Sequence, residues 1–197
     1  MKTYIPILSI IISSLFLSFS GKEICDIITK LPLTNKNIYH PDAKLGFETK
    51  SAIKLNKSNF SNFFSREMSE FDEAYLVSQF NISNNRKGVI SYSKSVECDH
   101  PIYFYSLHIV DDCKIIDTKN IMYSDSHGFI YEISSNFSKN YDILTIKEEF
   151  TSEYGMEPDA EIDTLTTKTF KIDLKSKLLD TISKKTTYKI LKSPTRK

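Results

Sequence analysis

Residues 102–118 read Ile102-Tyr103-Phe104-Tyr105-Ser106-Leu107-His108-Ile109-Val110-Asp111-Asp112-Cys113-Lys114-Ile115-Ile116-Asp117-Thr118, and this stretch decides the fold class. From Ile102 to Val110 the side chains are aromatic, aliphatic and β-branched with no turn former among them, the composition of a pleated strand. Asp111-Asp112 interrupts the run and Lys114-Ile115-Ile116 resumes it, the chemistry of a tight hairpin. Residues 172–181, Ile172-Asp173-Leu174-Lys175-Ser176-Lys177-Leu178-Leu179-Asp180-Thr181, repeat the unit with one extra residue in the turn. Two copies are too few for a propeller or solenoid.

The same texture extends from Glu73 to the end of the chain. Strands are expected at about 73–82, 87–96, 101–110, 114–123, 128–135, 141–150, 161–174 and 177–191. Turn formers separate them at Ser83-Asn84-Asn85, Asp111-Asp112, Asp125 to Gly128, Ser138 to Asn140 and Gly155 to Asp159. Short links between successive strands favour antiparallel pairing, which predicts a mainly β protein: a meander of about eight strands, either a curved sheet or a barrel. Ahead of it stands a short helical part. Ile24, Ile27, Ile28 and Leu31 form one apolar stripe stopped by Pro32, and Phe60, Phe63, Phe64 and Met68 form another with Ser58 as its cap. Residues 32–55 are polar, hold Pro41 and Gly46, and read as irregular.

The first twenty residues look like an export address. Lys2 precedes an uncharged run from Thr3 to Gly21, and Ser18-Phe19-Ser20 offers small residues at a cleavage site, which places cleavage after Ser20. An uncleaved anchor is the alternative, and Lys22-Glu23-Ile24 before Cys25 disfavours a lipoprotein. The organisation is then a signal peptide (1–20), short helices and an irregular segment (21–72), the meander (73–192) and a basic tail (193–197). The expected location is secreted or periplasmic, where disulfides are permitted. Cys98 and Cys113 flank the strand at 102–110, whose ends lie roughly 30 Å apart at about 3.3 Å per residue. They are therefore not expected to bond to each other, and a bond from Cys25 to either of the others stays open.

Composition excludes several functions. The five glycines of the 197-residue chain are never closer than 25 residues, so neither the phosphate loop, the dinucleotide turn nor the serine-hydrolase elbow can be present. A net charge of +1 gives no electrostatic reason to expect nucleic acid. That neutrality is a sum of opposites: residues 142–163 carry −7, and residues 168–197 carry +8. Opposite charges on neighbouring strands can satisfy each other. Alternatively Lys184, Lys185, Lys189 and Lys192 form a basic face for an anionic envelope polymer or an acidic protein.

No residue set qualifies as catalytic, cofactor-binding or metal-ligating. His40, His100, His108 and His127 form no local metal pair. His108 shares a strand face with Ile102, Phe104 and Val110 and reads as a satisfied core or edge histidine, whereas His40 and His100 precede prolines and suggest loops. Ser124-Asp125-Ser126-His127-Gly128 reads as a turn, because triad members converge from separate elements. Asp159, Glu161 and Asp163 begin like a calcium loop, but Thr164 and Phe170 occupy the positions of its glycine and bidentate glutamate. The Asn-x-Ser sequons at Asn56, Asn59, Asn81 and Asn136 barely exceed chance.

The stretches Tyr103 to Thr118 and Phe170 to Ile190 resemble small secreted bacterial β-meander proteins of uncharacterised function, in which the turn carries a glycine where Cys113 and Ser176 stand here. The resemblance implies an extracytoplasmic β-rich fold and transfers no functional residue. The expected function is therefore binding, to a protein (a toxin included) or an envelope component. A small hydrolase using His108 and His127, or a structural envelope protein, is the alternative.

Overall fold

The structure is a computed structural model that describes residues 23–34, 36–40, 51–64, 68–69, 73–97, 100–125, 130–152, 162–176 and 181–192. Residues 23–28 form a helix, α1, followed by β1 (Ile38–Tyr39), β2 (Ile53–Lys54) and α2 (Lys57–Phe63). Eight long strands follow: β3 (Glu73–Asn81), β4 (Arg86–Glu97), β5 (His100–Asp111), β6 (Lys114–Asp125), β7 (Ile130–Phe137), β8 (Ile143–Ser152), β9 (Ile162–Asp173) and β10 (Thr181–Lys192). The expected eight-stranded meander is present, and β1 and β2 raise the sheet to ten strands. These two short strands lie in the segment expected to be irregular, and each exists only because a long strand, β7 or β3, offers it backbone partners.

Every long strand pairs antiparallel with its neighbour in sequence, in the order β10-β9-β8-β7-β6-β5-β4-β3-β2. The sheet is open, with β2 and β10 at its ends. Pairing weakens at one place: β6 and β7 share only the rungs Tyr123–Ile133, Ser124–Glu132 and Asp125–Tyr131. Further along β7, β1 takes over as partner, with Ile38 opposite Asn136 and Tyr39 opposite Ser135. The β5–β6 hairpin turns on Asp112 and Cys113, whose φ values of 46° and 64° define the mirror-image turn that matches strand twist. Its two turn residues lie one position later than the sequence suggested.

The sheet curls, and its two halves enclose the main core. Phe80, Ile90, Leu107 and Ile109 from β3–β5 pack with Phe137, Leu144, Ile146 and Ile172 from β7–β9. The centroids of Phe80 and Phe137 lie 5.3 Å apart, edge to face. Phe80 also lies flat over Gly88, where a Cβ would meet its ring at 2.2 Å, so glycine is the residue that fits. A second core forms on the other face of β3–β5, where Ile24, Ile28 and Leu31 join Phe60 and Phe63 over Ala74, Leu76, Val89 and Val110. Both apolar stripes of the N-terminal part thus pack into this core, with Ile27, Phe64 and Met68 only partly buried. The second helix ends at Phe63, before Met68, and its cap is Asn56, which accepts from the Asn59 amide at 2.9 Å, in place of Ser58. Asn56 precedes the first helical residue, which lets its side chain reach back over the first turn.

Two long-range ties hold the layers. Cys25 of α1 is bonded to Cys113 in the β5–β6 turn, which answers the pairing left open by the sequence and leaves no bond between Cys98 and Cys113. Arg86, nearly buried at the start of β4, donates to Asp111 Oδ2 from Nε at 3.1 Å and Nη2 at 2.9 Å. Its Nη1 donates across the core to the carbonyls of Leu174 and Ser176, just beyond β9. Replacing Arg86 by Met should lower stability by about 2–3 kcal/mol, because two carbonyls and a carboxylate lose their donor. Urea titration reads this as a lower midpoint at unchanged slope, and a loss under about 0.5 kcal/mol would show that the clamp holds nothing. Peptide mapping of the unreduced chain should recover a Cys25–Cys113 cross-link. Serine at both positions should cost about 2–5 kcal/mol, since the bond closes a long loop.

Candidate functional site

The surface of β4–β6 that faces the helices is apolar at one end, where Val89 and Val110 lie in the second core. Along the same face it turns polar. Ser91 and Ser93 of β4, Ser106 and His108 of β5 are all buried, and Thr118 and Asn120 of β6 continue the row. Register brings them together, with Ser91 opposite Ser106, His108 opposite Thr118 and Ser106 opposite Asn120. A bulge at Ile121 turns that residue into the main core beside Met122 and keeps Asn120 level with Ser106.

His108 occupies the middle of this row and is fully buried. Ser91 Oγ lies 2.7 Å from Nε2 and Thr118 Oγ1 lies 3.0 Å from Nδ1, so both ring nitrogens have hydroxyl partners. The rings of Phe63 and Phe64 close over the imidazole edge-on, at 5.3 and 5.2 Å. No carboxylate among the described residues is bonded to it, and burial pushes its pKa down to about 3. The imidazole is neutral at pH 7, one nitrogen donating and the other accepting. The expectation of a satisfied core histidine holds.

Beside His108 the layer opens into a cleft of about 370 Å³. Phe63 and Phe64 of α2 and Phe104 of β5 line it together with Ser93, Ser106, Thr118 and Asn120. Ser106 Oγ donates to Asn120 Oδ1 at 3.1 Å, which leaves the Asn120 amide nitrogen uncommitted among the described residues. Ser93 is 4% exposed, and its hydroxyl has no partner among the described residues. The aromatic walls are held from behind. Phe64 stacks on Phe60 at 4.4 Å, and Phe104 leans on Tyr123 at 5.2 Å.

Two surfaces complete the inventory. Tyr75, Tyr92 and Tyr105 stand opposite one another across β3–β5, and Tyr105 touches Tyr39 at 5.4 Å. Lys36 lies over the rings of Tyr39 and Tyr105, at 5.0 and 5.5 Å from their centroids. Burial raises the phenols of Tyr39 and Tyr92 to about 12, so both stay protonated. At the opposite end of the sheet, residues 181–189 of β10 are exposed throughout, with Ile182 56% and Tyr188 74% accessible. Lys184 lies over the Phe170 ring, while Lys185 and Lys189 have no carboxylate partner among the described residues.

The acidic and basic segments satisfy each other only in part. Glu148 of β8 stands opposite Lys168 of β9, and Lys175 reaches Asp142 at 3.6 Å. The described lysines of β10, Lys184, Lys185 and Lys189, lie one strand further out and face solvent. His100 opens β5 rather than a loop, and His40 follows β1. His127, Cys98, Asp159, Glu161, the signal region and the basic tail lie outside the described residues. Among those described, no three His, Cys, Asp or Glu side chains converge on one point.

Sequence reasoning missed the cleft. Its signal was the polar residue at every second place in Ser91-Tyr92-Ser93 and Ser106-Leu107-His108, within strands otherwise built for burial. The chain matches no protein-family model, no curated protein and no solved structure.

The His108 environment sets a pH dependence. Its folded pKa of about 3 lies below the ordinary 6.5, so the unfolded chain takes up a proton that the folded chain refuses. The histidine contributes no penalty above pH 6.5, and stability falls as pH drops from there toward 3, by up to about 1.4 kcal/mol per unit. Urea midpoints compared at pH 7 and pH 5 should show this loss for the native chain and a smaller one for His108→Asn. Equal losses would contradict the buried neutral imidazole.

Proposed function

We propose that the chain is an exported binding protein whose partner is an acidic component of the cell envelope, docking on β10. The observation that carries this reading is a twelve-residue terminal strand that, among the described residues, pairs on one side only and is solvent-exposed over residues 181–189. An edge of this kind carries unpaired backbone donors and acceptors, and lysines keep it from pairing with another copy of itself. Lys184, Lys185 and Lys189 do so here, and they supply positive charge that the body of the protein does not neutralise. An anionic partner gains both the backbone partners and the charge.

Export is supported by the Cys25–Cys113 bond, which suits an oxidising compartment, and by the uncharged run from Thr3 to Gly21. No helix among the described residues is long and apolar enough to cross a membrane. A hydrolase built on the Ser91–His108 pair is the weaker reading. The serine is fully buried, and a base held at about 3 is far from the operating pH at which proton transfer is efficient.

Co-sedimentation of the mature protein with envelope fragments tests the proposal. Retention should fall as salt rises, because exposed charges are screened. The triple variant K184Q/K185Q/K189Q should lose about tenfold in affinity, taking roughly 0.5 kcal/mol per charge. Unchanged retention of the triple variant would remove β10 as the docking strand.

A further inference from the structure

We propose that the cleft between α2 and β4–β6 is a second binding site, and that its ligand is an uncharged, hydroxyl-bearing ring: a neutral sugar unit. The proposal is independent of the docking strand, which lies at the far end of the sheet.

The chemistry of the lining narrows the ligand. None of the seven described residues that line it is charged. A carboxylate or ammonium group entering the cleft would lose its hydration without gaining a counter-charge, and such burial is costly. An aliphatic ligand is disfavoured for the opposite reason. It would cover the Ser93 hydroxyl and the Asn120 amide nitrogen without bonding to either, at about 1–3 kcal/mol for each buried unsatisfied group. A ligand that offers several hydroxyls on a compact ring meets both conditions. Ser93 Oγ and Asn120 Nδ2 are open for it, and Thr118 Oγ1 sits between the ligand space and His108 Nδ1. Hydroxyls can donate or accept, so they match sugar hydroxyls of either polarity.

The walls suit the same ligand. Phe63, Phe64 and Phe104 line the cleft, and aromatic ring faces carry the negative end of a quadrupole. The slightly positive C–H groups of a saturated sugar ring pack well on such faces. The volume of about 370 Å³ lies at the small end of ligand sites and suits one ring or two.

Preparation of the site is the second line of support. Ser93, 4% exposed and without a bond among the described residues, sits in a layer where valine would serve packing equally well. Ser91, Ser106, His108 and Thr118 behind it are bonded to one another or to Asn120. The network holds the cleft groups in place before the ligand arrives, which reduces the ordering cost of binding.

Isothermal titration of the mature protein with glucose, galactose, mannose and N-acetylglucosamine tests the proposal, with the anion glucuronate and the uncharged apolar dye N-phenyl-1-naphthylamine as contrasts. At least one neutral sugar should bind saturably. Asn120→Ala, an exposed position where folding is not at risk, should weaken that sugar about threefold to tenfold, and Ser93→Ala should do the same. Phe104→Ala should weaken it further, while K184Q/K185Q/K189Q should leave it unchanged. The proposal is overturned if no neutral sugar binds saturably, if glucuronate or the dye binds in preference, or if sugar binding is indifferent to Asn120 and Ser93.

Discussion

Arg86 is the point at which the two halves of this sheet become one body. A meander gives each strand its neighbours in sequence, but nothing in that pairing brings β4 against the exit of β9. The guanidinium does so with three nitrogens, two on the Asp111 carboxylate and one on the carbonyls of Leu174 and Ser176. Its planar fork suits this task, since one group must reach in two directions at fixed angles. Around it Phe80, Ile82, Ile172 and Leu174 are shielded from water, so the apolar core depends on a charge being held correctly at its rim. The sheet can then stay open at β2 and β10 and still enclose a core.

The polar row on the opposite face inverts that relation. Here a neutral imidazole and five hydroxyl or amide side chains lie in a layer that packing alone would fill with aliphatics. A buried polar network is tolerable when every member is bonded, and His108 meets that condition at both nitrogens. Ser93 does not meet it among the described residues. The contrast between the bonded His108 network and an open hydroxyl at its margin separates structural polarity from polarity available to a ligand. The same low-dielectric setting that makes His108 a poor base makes any hydrogen bond formed in the cleft stronger than it would be at the surface.

The fold was largely legible in the chain. Strands such as Ile102 to Val110 announce themselves by composition, and the turn formers fall between or at the ends of the long strands, one position early at the β5–β6 turn. The short strands β1 and β2 were hidden, because two residues carry no period and acquire their conformation from β7 and β3. The helix cap was displaced from Ser58 to Asn56 because residue type identifies a candidate cap but not the place where the helix begins. Site legibility was poorer. His108 was recognisable as a core residue, but the cleft needs α2, β4, β5 and β6 at once. The partners Ser91, Ser106 and Thr118 come from three strands that only register aligns. The charge segments were visible in sequence, whereas their limited mutual satisfaction depended on β9 lying between the acids of β8 and the lysines of β10.

The neighbour-to-neighbour order of the strands also governs how the chain can assemble. Each hairpin can form from residues close in sequence, which keeps contact order low for a β protein and favours rapid zipping from any turn. Against that local background stand two closures of equal reach, Cys25 to Cys113 and Arg86 to Leu174, each spanning 88 residues. Closing a loop of that length carries an entropic cost that rises only with the logarithm of its size. Preformed hairpins shorten the effective loop further. One closure fastens the helices to the outer face and the other draws the sheet around its core, so the order of events runs from zipped hairpins to a folded shell.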